Sequence, residues 1–429
     1  MGRRNQWGGV LGQRDFTILL IGRLVSWTGT GMVPVALSFA VLDRGGGAGD
    51  VGGVLAAETI PLVLFLLVAG VAADRTNRRL LMLGADVLRG VAQLSLAVWV
   101  LSGRPPLGAF LAAEAAVGTG TAWFTPAMTG LLPQVAPADR LQQANSLWTT
   151  AQSIGVLVGP AFAGLLVAGA GPGWAIAVDG ATYALSAACL LSLRIGWRRP
   201  RSTKRHLSGD LAAGWREFWS RGWLWPVVTQ FTLLGMTVFA PFLVLGAVIA
   251  RSSLGGAGAW GLVLAANGAG AVLGGLALLR FHPRRPLFTG EALLLWWAAP
   301  LAALAFRAPL AVVAAGAFVA GAAQGTFEPL WGTTMQRLLP DDVLSRVSAY
   351  DWFGSLVFLP IGYLLAGPLA SDIGYRTVLL GAAGWAVAST TAVLALRSVR
   401  TVTAIPARPD ATPGPTVPTG LGGPFPLRD

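Results

Sequence analysis

Few residues in this 429-residue chain could do chemistry, and most of them interrupt long apolar runs. Arg23, Glu58, Glu114 and the pair Asp86 and Arg89 stand among Leu, Val, Ala and Gly, with Glu291, Glu328 and Asp351 nearer the ends of later runs. An ionisable side chain in an apolar helix is costly and marks a pathway for ions, protons or substrates, or a partner charge. Asp86 and Arg89 are three apart, so on a helix they share a face and are expected to satisfy each other. Glu58 and Glu114 have no such neighbour. A carboxyl held partly dry can gain and lose a proton as its site opens to one side or the other, because burial favours the neutral form. Glu291, Glu328 and Asp351 are expected to snorkel to a helix end or to line a gate. Other chemistry is excluded. The histidines, His206 and His282, lie in basic gaps, and the single cysteine, Cys189, sits in an apolar run. Neither a disulfide framework nor a metal site is expected. His206 and Asp210 make no catalytic set, and there is no Walker loop for ATP. The chain is expected to be no enzyme and to use no cofactor.

The composition says what scaffold must position these residues. Hydrophobic residues make up 54% of the chain and charged residues 12%, against about a quarter charged in an ordinary soluble domain; the mean hydropathy is +0.63. A water-soluble fold of this length cannot hide that much apolar surface, so much of it must face lipid. Runs of about 20 mostly apolar residues, the length a spanning helix needs, occur at 16–42, 51–73, 80–101, 107–127, 143–168, 174–194, 223–249, 259–280, 287–305, 309–330, 346–370 and 376–396. Backbone groups in lipid must be satisfied within their own segment, which makes these runs helices, and none alternates with period two as a barrel strand would. The first run is too long for the apolar core of a cleavable leader, so the first helix is expected to stay.

Basic residues set the orientation. With the N-terminus inside, the inner gaps hold 24 of the 31 Lys and Arg, the outer gaps hold Arg44, Arg104, Arg251, Arg307 and Arg376, and Arg23 and Arg89 fall within helices. Both termini are therefore expected on the cytoplasmic side of the cell membrane. The net charge of +12 belongs to loops beside membrane lipids, not to a stripe for nucleic acid. The longest internal gap divides six helices from six. The expected organisation is a first half over 1–193, a cytoplasmic linker over 194–222, a second half over 223–397 and a tail over 398–429. In the linker, Leu211, Trp215, Phe218 and Trp219 follow five basic residues at spacings that suit a short amphipathic helix, aromatic face down on the inner leaflet. The tail carries seven prolines after Arg400 and is expected to be disordered. The halves also echo each other. At a constant offset of 203, Gly118, Phe124, Pro126, Pro137, Gly159 and Gly164 meet Gly321, Phe327, Pro329, Pro340, Gly362 and Gly367, and the tetrapeptide at 54–57 recurs at 263–266. The fold class is an all-α membrane protein of twelve transmembrane helices in two six-helix halves.

Two motifs sharpen this. The gap after the second run reads Gly70-Val-Ala-Ala-Asp74-Arg75-Thr-Asn77-Arg78-Arg79. Glycine permits close helix approach, Asp74 can cap a neighbouring helix, and the arginines can hold carboxylates or lipid phosphates in one of two states, which suits a gate. Asn77 tolerates a left-handed turn. The fifth run carries Gly155, Gly159, Pro160 and Gly164, small residues for tight packing and a proline that bends the helix. The first motif resembles the signature loop of the major facilitator superfamily, with Asn77 where the family usually has glycine. The second is similar to the Gly-xxx-Gly-Pro element that accompanies exporters more than importers in that superfamily, with Ala163 a departure from it. Phe124-Thr-Pro126-Ala127 with Ala144-Asn145-Ser146, Asp86 with Arg89, Asp179, and Asp210-Leu-Ala-Ala-Gly214-Trp215-Arg216 resemble its drug, macrolide and siderophore exporters.

That resemblance implies the major facilitator fold, with a cavity between the halves near the midplane. It also implies a monomeric secondary active transporter, exporting a small amphipathic molecule (a drug, antibiotic or siderophore) by proton antiport with alternating access. Many drug/proton antiporters have an arginine four residues before a glycine on helix 4. Here Glu114 precedes Gly118, so coupling is expected to run through Glu114, with Glu58 second. Arg23, Trp27 and Trp123 would line the cavity, and Asp86, Arg89 and Asp179 would be supporting charges. A lysophospholipid transporter stays open, as does a non-transporting receptor or scaffold, although a static scaffold has no use for a gate. Reporter fusions after Arg79, Lys204 and Arg400 should report cytoplasm, and fusions near Gly46 and Gly171 the outside. A cytoplasmic readout at Gly171 breaks the parity on which both halves rest.

Overall fold

A computed structural model describes residues 9–103, 105–137, 140–194 and 215–403, with the side chains at 67, 70, 71, 73–75, 341, 342, 345, 346 and 349 excepted. Most of the expected linker, including Leu211, and the tail beyond 403 lie outside the described residues. What is described is helical, with no strand. The first half holds α1 (Arg14–Asp43), α2 (Ala48–Arg75), α3 (Arg78–Ser102), α4 (Leu107–Val135), α5 (Leu141–Ala170) and α6 (Pro172–Ser192). The second holds α7 (Leu224–Leu254), α8 (Ala257–Ala277), α9 (Pro286–Ala305), α10 (Leu310–Leu338), α11 (Asp341–Val357 continued by Leu359–Ile373) and α12 (Tyr375–Ala395).

Eleven described helices are long and apolar enough to cross a membrane. The twelfth, α4, has the length (29 residues) but carries Glu114 and four threonines. All four hydroxyls bond back to their own helix, Thr119 to Ala115 O at 2.7 Å, Thr121 to Val117 O at 2.9 Å, Thr125 to Thr121 O at 2.9 Å and Thr129 to Pro126 O at 2.8 Å. The helix thus satisfies its own polar groups and packs along α2 and α3. α4 and α10 both outrun the apolar stretches that announce them. Their last turns stay helical, and each helix stops two residues before a proline, Pro137 and Pro340, because the residue ahead of a proline is driven out of helical geometry.

The echo between the halves has a physical cause. At Gly118 of α4 an added Cβ would run into the backbone carbonyl of Glu58 on α2, and at Gly321 of α10 into that of Asn267 on α8. Gly159 of α5 meets Gly31 of α1, and Gly362 of α11 meets Met236 of α7. Gly164 crosses to Ala257 and Gly261 of α8, while Gly367 crosses to Ala48 and Gly49 of α2. Each pair of glycines separated by 203 makes the equivalent crossing, at points where backbones touch backbones.

Two of those crossings join the halves, and they share one face of the bundle with an ion pair between Arg251 Nη1 and Asp43 Oδ1 at 2.5 Å. On the opposite face each half is stitched to itself: Arg79 donates to Leu191 O at 2.6 Å, Arg221 to Leu338 O at 2.8 Å and Ser398 to Gly222 O at 2.8 Å. The described part of the expected linker helix, residues 215–220, belongs to the second half. Its Trp215, Phe218 and Trp219 rings contact one another, and Trp215 and Phe218 lie 5.5 and 6.3 Å from the Tyr350 ring of α11, with Phe218 buried and the two tryptophans exposed.

With Cys189→Ser as background, Asp43→Cys and Arg251→Cys should be joined efficiently by a short bifunctional thiol reagent. Adding Gly367→Leu or Gly164→Leu should cut the cross-linked fraction several-fold. A fraction unchanged by either leucine would show that these crossings do not hold the halves together.

Candidate functional site

The site is built around α3. Arg89 donates through Nη2 to Asp86 Oδ1 one turn away, and both side chains are buried. The Arg89 guanidinium also lies 4.5 Å from the ring centroids of Phe124 on α4 and Tyr183 on α6. Gly120 makes room for it, since a Cβ there would stand 2.6 Å from Arg89 Cγ. Arg23 of α1 lies over the same Phe124 ring at 4.4 Å and over Trp27 at 4.7 Å, and donates to Ser26 Oγ at 3.3 Å. Two guanidiniums on one ring repel; cation–π attraction and the Asp86 charge, which acts on both, offset this.

One turn along α3, Gln93 Nε2 donates to Glu114 Oε1 at 3.1 Å, while Glu114 Oε2 has no partner. Glu58 of α2 and Asp179 of α6 both act on Glu114 through space, and Arg89 is the cation that faces Glu58 and Asp179. Asp179 is 1% exposed, and neither of its oxygens has a partner. The structure thus gathers Glu58, Asp86 and Asp179 around Arg89, with Glu114 beside Glu58 and Asp179 and with Arg23 alongside. Asp179 belongs to this cluster as fully as the acids named for coupling. Trp27 meets Arg23 and packs edge-on against Trp148 of α5 at 4.7 Å. Trp123 packs instead with an apolar group that includes Phe16, Met82 and Leu131. Gln93, Phe124 and Tyr183 are site residues that pattern-reading passed over. Gln93 was findable, since it continues the Asp86 and Arg89 face at the next turn.

The loop after α2 is described in part. Gly70, Asp74 and Arg75 fall in the last turns of α2, and the side chains of Asp74 and Arg75 lie outside what is described. Asn77 does not take a left-handed turn. Its φ is −71°, and its side chain caps α3, accepting from Arg79 N at 3.0 Å and Leu80 N at 3.4 Å. Arg78 donates to Gly130 O of α4 at 2.6 Å and Arg79 to Leu191 O of α6. Both arginines thus sit on carbonyls near helix C-terminal ends, where the peptide dipoles favour a cation. Of the helix-5 motif, Gly155 and Gly159 face α1, whereas Pro160 and Gly164 reach α8 of the other half.

In the second half Glu291 does not snorkel. It is 1% exposed on α9, with the Gln230 amide of α7 beside it, and Gln230 donates to Thr390 of α12 at 2.9 Å. It is buried beside α7 rather than reaching towards water. Asp351 accepts from Trp331 Nε1 at 3.1 Å, and the exposed Glu328 from Gln324 at 3.1 Å.

Buried carboxyls and guanidiniums inside two six-helix halves of apolar helices define a multi-pass membrane transport protein. The chain belongs to the Major Facilitator Superfamily, whose family model matches residues 19–355. It is similar to the multidrug efflux pump Tap of Mycobacterium tuberculosis (strain ATCC 25618 / H37Rv), 28% identical over 385 residues that cover 85% of this chain and 89% of Tap. The Tap pump of Mycolicibacterium fortuitum is 28% identical over 380 residues, 85% of this chain and 91% of that one. Among solved structures, the nucleoside transporter NupG matches with a TM-score of 0.69 at 14% identity, over 89% of this chain and 98% of that one. A bacterial homologue of the iron transporter ferroportin matches with 0.67 at 17% identity, over 89% and 99%. These two likenesses show the fold.

Breaking a buried ion pair from one side costs about 3–5 kcal/mol, far more than replacing both partners. Arg89→Met should therefore lower the thermal unfolding midpoint of the purified protein sharply, and Asp86→Asn combined with Arg89→Gln should restore most of the loss. An unchanged midpoint in Arg89→Met would remove the pair from the list of structural supports.

Proposed function

We propose that this protein is a proton-coupled exporter of small amphipathic molecules, working as a monomer in the cell membrane with both termini in the cytoplasm. The observation that carries the coupling is a cluster in which Glu58 and Asp179 face a single guanidinium already bonded to Asp86, while Glu114 lies beside both acids with no cation of its own. With fewer cations than acids in a dry site, charge neutrality calls for protons. The export direction is supported by the efflux named for both Tap pumps and by the Gly155–Gly164 segment that bridges to α8. Positive charge in the inner gaps supports the orientation, and the linker at 194–222 and tail at 398–429 then lie inside. In that orientation the face closed by Arg251 and Asp43 is external. The opposite face, where each half is stitched to itself, is the one that admits substrate from the cytoplasm. An apolar bundle with Arg23, Trp27 and a few buried acids suits a mostly hydrophobic molecule better than a sugar, which demands many hydrogen bonds.

In this cycle Glu114 exchanges its proton with each side in turn, with Glu58 as its neighbour, and Asp74 and Arg75 bias the two packed states of the gate. In proteoliposomes Glu114→Gln should abolish transport driven by a pH gradient while substrate exchange without a gradient survives. Gradient-driven transport persisting in Glu114→Gln, Glu58→Gln and the double variant would remove acid coupling through this pair. Asp74→Asn should insert and fold normally yet lose most export; normal export would reduce the loop to a topology signal.

A further inference from the structure

Asp179 differs from the other buried acids in what it touches. Its carboxyl lies against α1 at a residue without a side chain: a Cβ on Gly29 would stand 2.7 Å from Asp179 Oδ1 and 2.5 Å from Thr182 Oγ1. Two residues on, α1 has turned its other side to α5. A Cβ on Gly31 would stand 2.8 Å from Gly155 O, 3.3 Å from Gly159 Cα and 3.5 Å from Pro160 Cδ. The same stretch of α5 meets the other half, where a Cβ on Gly261 of α8 would stand 2.5 Å from Pro160 O and 2.7 Å from Gly164 Cα. Contact therefore runs from the Asp179 carboxyl and the Thr182 side chain onto the α1 backbone, and from there backbone to backbone through α5 to the opposite half, where little can absorb a shift.

Neither oxygen of Asp179 has a donor in this arrangement. A carboxylate there must draw a donor towards it or remain uncompensated, whereas the neutral acid leaves the packing as it stands. The cation that faces it, Arg89, is bonded to Asp86. The charged and titratable groups around it are Asp86 and Arg89 on α3, Arg23 on α1, and Tyr183 on its own helix, with Glu58 and Glu114 acting from α2 and α4. α5 has no titratable side chain along its length.

We infer that Asp179 is the acid whose protonation sets how α1 packs on α5 and, through α5, how the two halves meet at α8. This rests on the proton-coupled reading and divides the labour within it. Glu114 exchanges the proton with the pathway, and Asp179 converts charge state into helix packing. It is a positioning residue, so its test is a conformational readout and not transport alone.

The full-length protein carrying Cys189→Ser, Gly169→Cys on α5 and Ser252→Cys at the end of α7 is spin-labelled in lipid nanodiscs. The inter-label distance distribution is then measured from about pH 5 to about pH 9, a range wide enough to cover a shifted carboxyl. The parent protein should shift between two distributions. Asp179→Asn should hold the low-pH distribution throughout, and Glu114→Gln should keep the parent's shift. Gly29→Ala, which presses a methyl on the carboxyl and leaves every titratable group in place, should move the midpoint. A pH-dependent shift retained in Asp179→Asn overturns the inference, as does a parent protein that shows no shift. Gradient-driven transport measured on the same preparations reports separately on proton coupling, so that coupled export can survive the loss of this role for Asp179.

Discussion

Lipid cannot solvate a charge, so every ionised group inside this bundle must be answered by protein, and much of that answer passes through Arg89. One guanidinium bonds Asp86, lies over Phe124 and Tyr183, and supplies the positive field at Glu58 and Asp179. Those partners come from α2, α3, α4 and α6, so the placement of four helices depends on one side chain. Gly120 exists where it does because Arg89 passes by it. The group is also short of cations. Four carboxyls share Arg89 and Arg23, and ionising all of them without water would be far more costly than keeping some of them protonated. An excess of acid over base is the feature on which the proposed proton coupling rests.

The two halves share a backbone plan and differ in chemistry. Glycine crossings recur at the same offset, α4 on α2 as α10 on α8, and α5 on α8 as α11 on α2. The recurring tetrapeptide is followed by Glu58 in the first half and Asn267 in the second. Asn267 answers its own polarity locally, donating to Ala317 O of α10 at 3.0 Å. That exchange of a carboxyl for an amide leaves the crossing intact and removes a titratable group from the second half. The acid there, Glu291, sits instead with Gln230 and Thr390 across α9, α7 and α12. Symmetric packing suits halves that rock as similar bodies in the proposed cycle, while the clustered buried acids Glu58, Asp86, Glu114 and Asp179 all stand in the first half.

The helices were legible because a spanning run leaves no alternative for its backbone, and the repeat was legible because a glycine at a backbone crossing tolerates no substitute. Asp86 and Arg89 were legible because three residues on a helix bring side chains together. The ends of α4 and α10 were not, since a helix continues as long as its backbone is bonded, while hydropathy stops at the lipid boundary. Glu291 was misjudged for a related reason. Distance along a helix says how deep a residue lies, but only packing says which way it faces. The cluster itself needed the fold. Glu58, Glu114 and Asp179 are far apart in sequence, and what unites them is the stacking of α2, α4 and α6 about α3. Asn77 shows the limit of borrowed pattern: standing where a glycine is usual, it fills the position as a helix cap instead of copying the glycine's backbone.

α1 is the element through which these strands of the structure meet. Its Arg23 shares Phe124 with Arg89, its Gly29 faces Asp179, its Gly31 faces the α5 motif, and its last residue, Asp43, bonds Arg251 of the other half. Pro34 lies between the last two of these contacts and removes one internal hydrogen bond, which leaves the helix free to bend there. A helix rigid over Arg23–Gly31 and bendable at Pro34 can respond to charge at one end without breaking the ion pair at the other. An exposed ion pair is worth little in stability, so Asp43 and Arg251 can part at small cost. The backbone crossings are closer and more extensive than that single bond. In the proposed alternating cycle the buried crossings therefore decide which packed state prevails, and α1 is the helix that places those crossings in contact with charge.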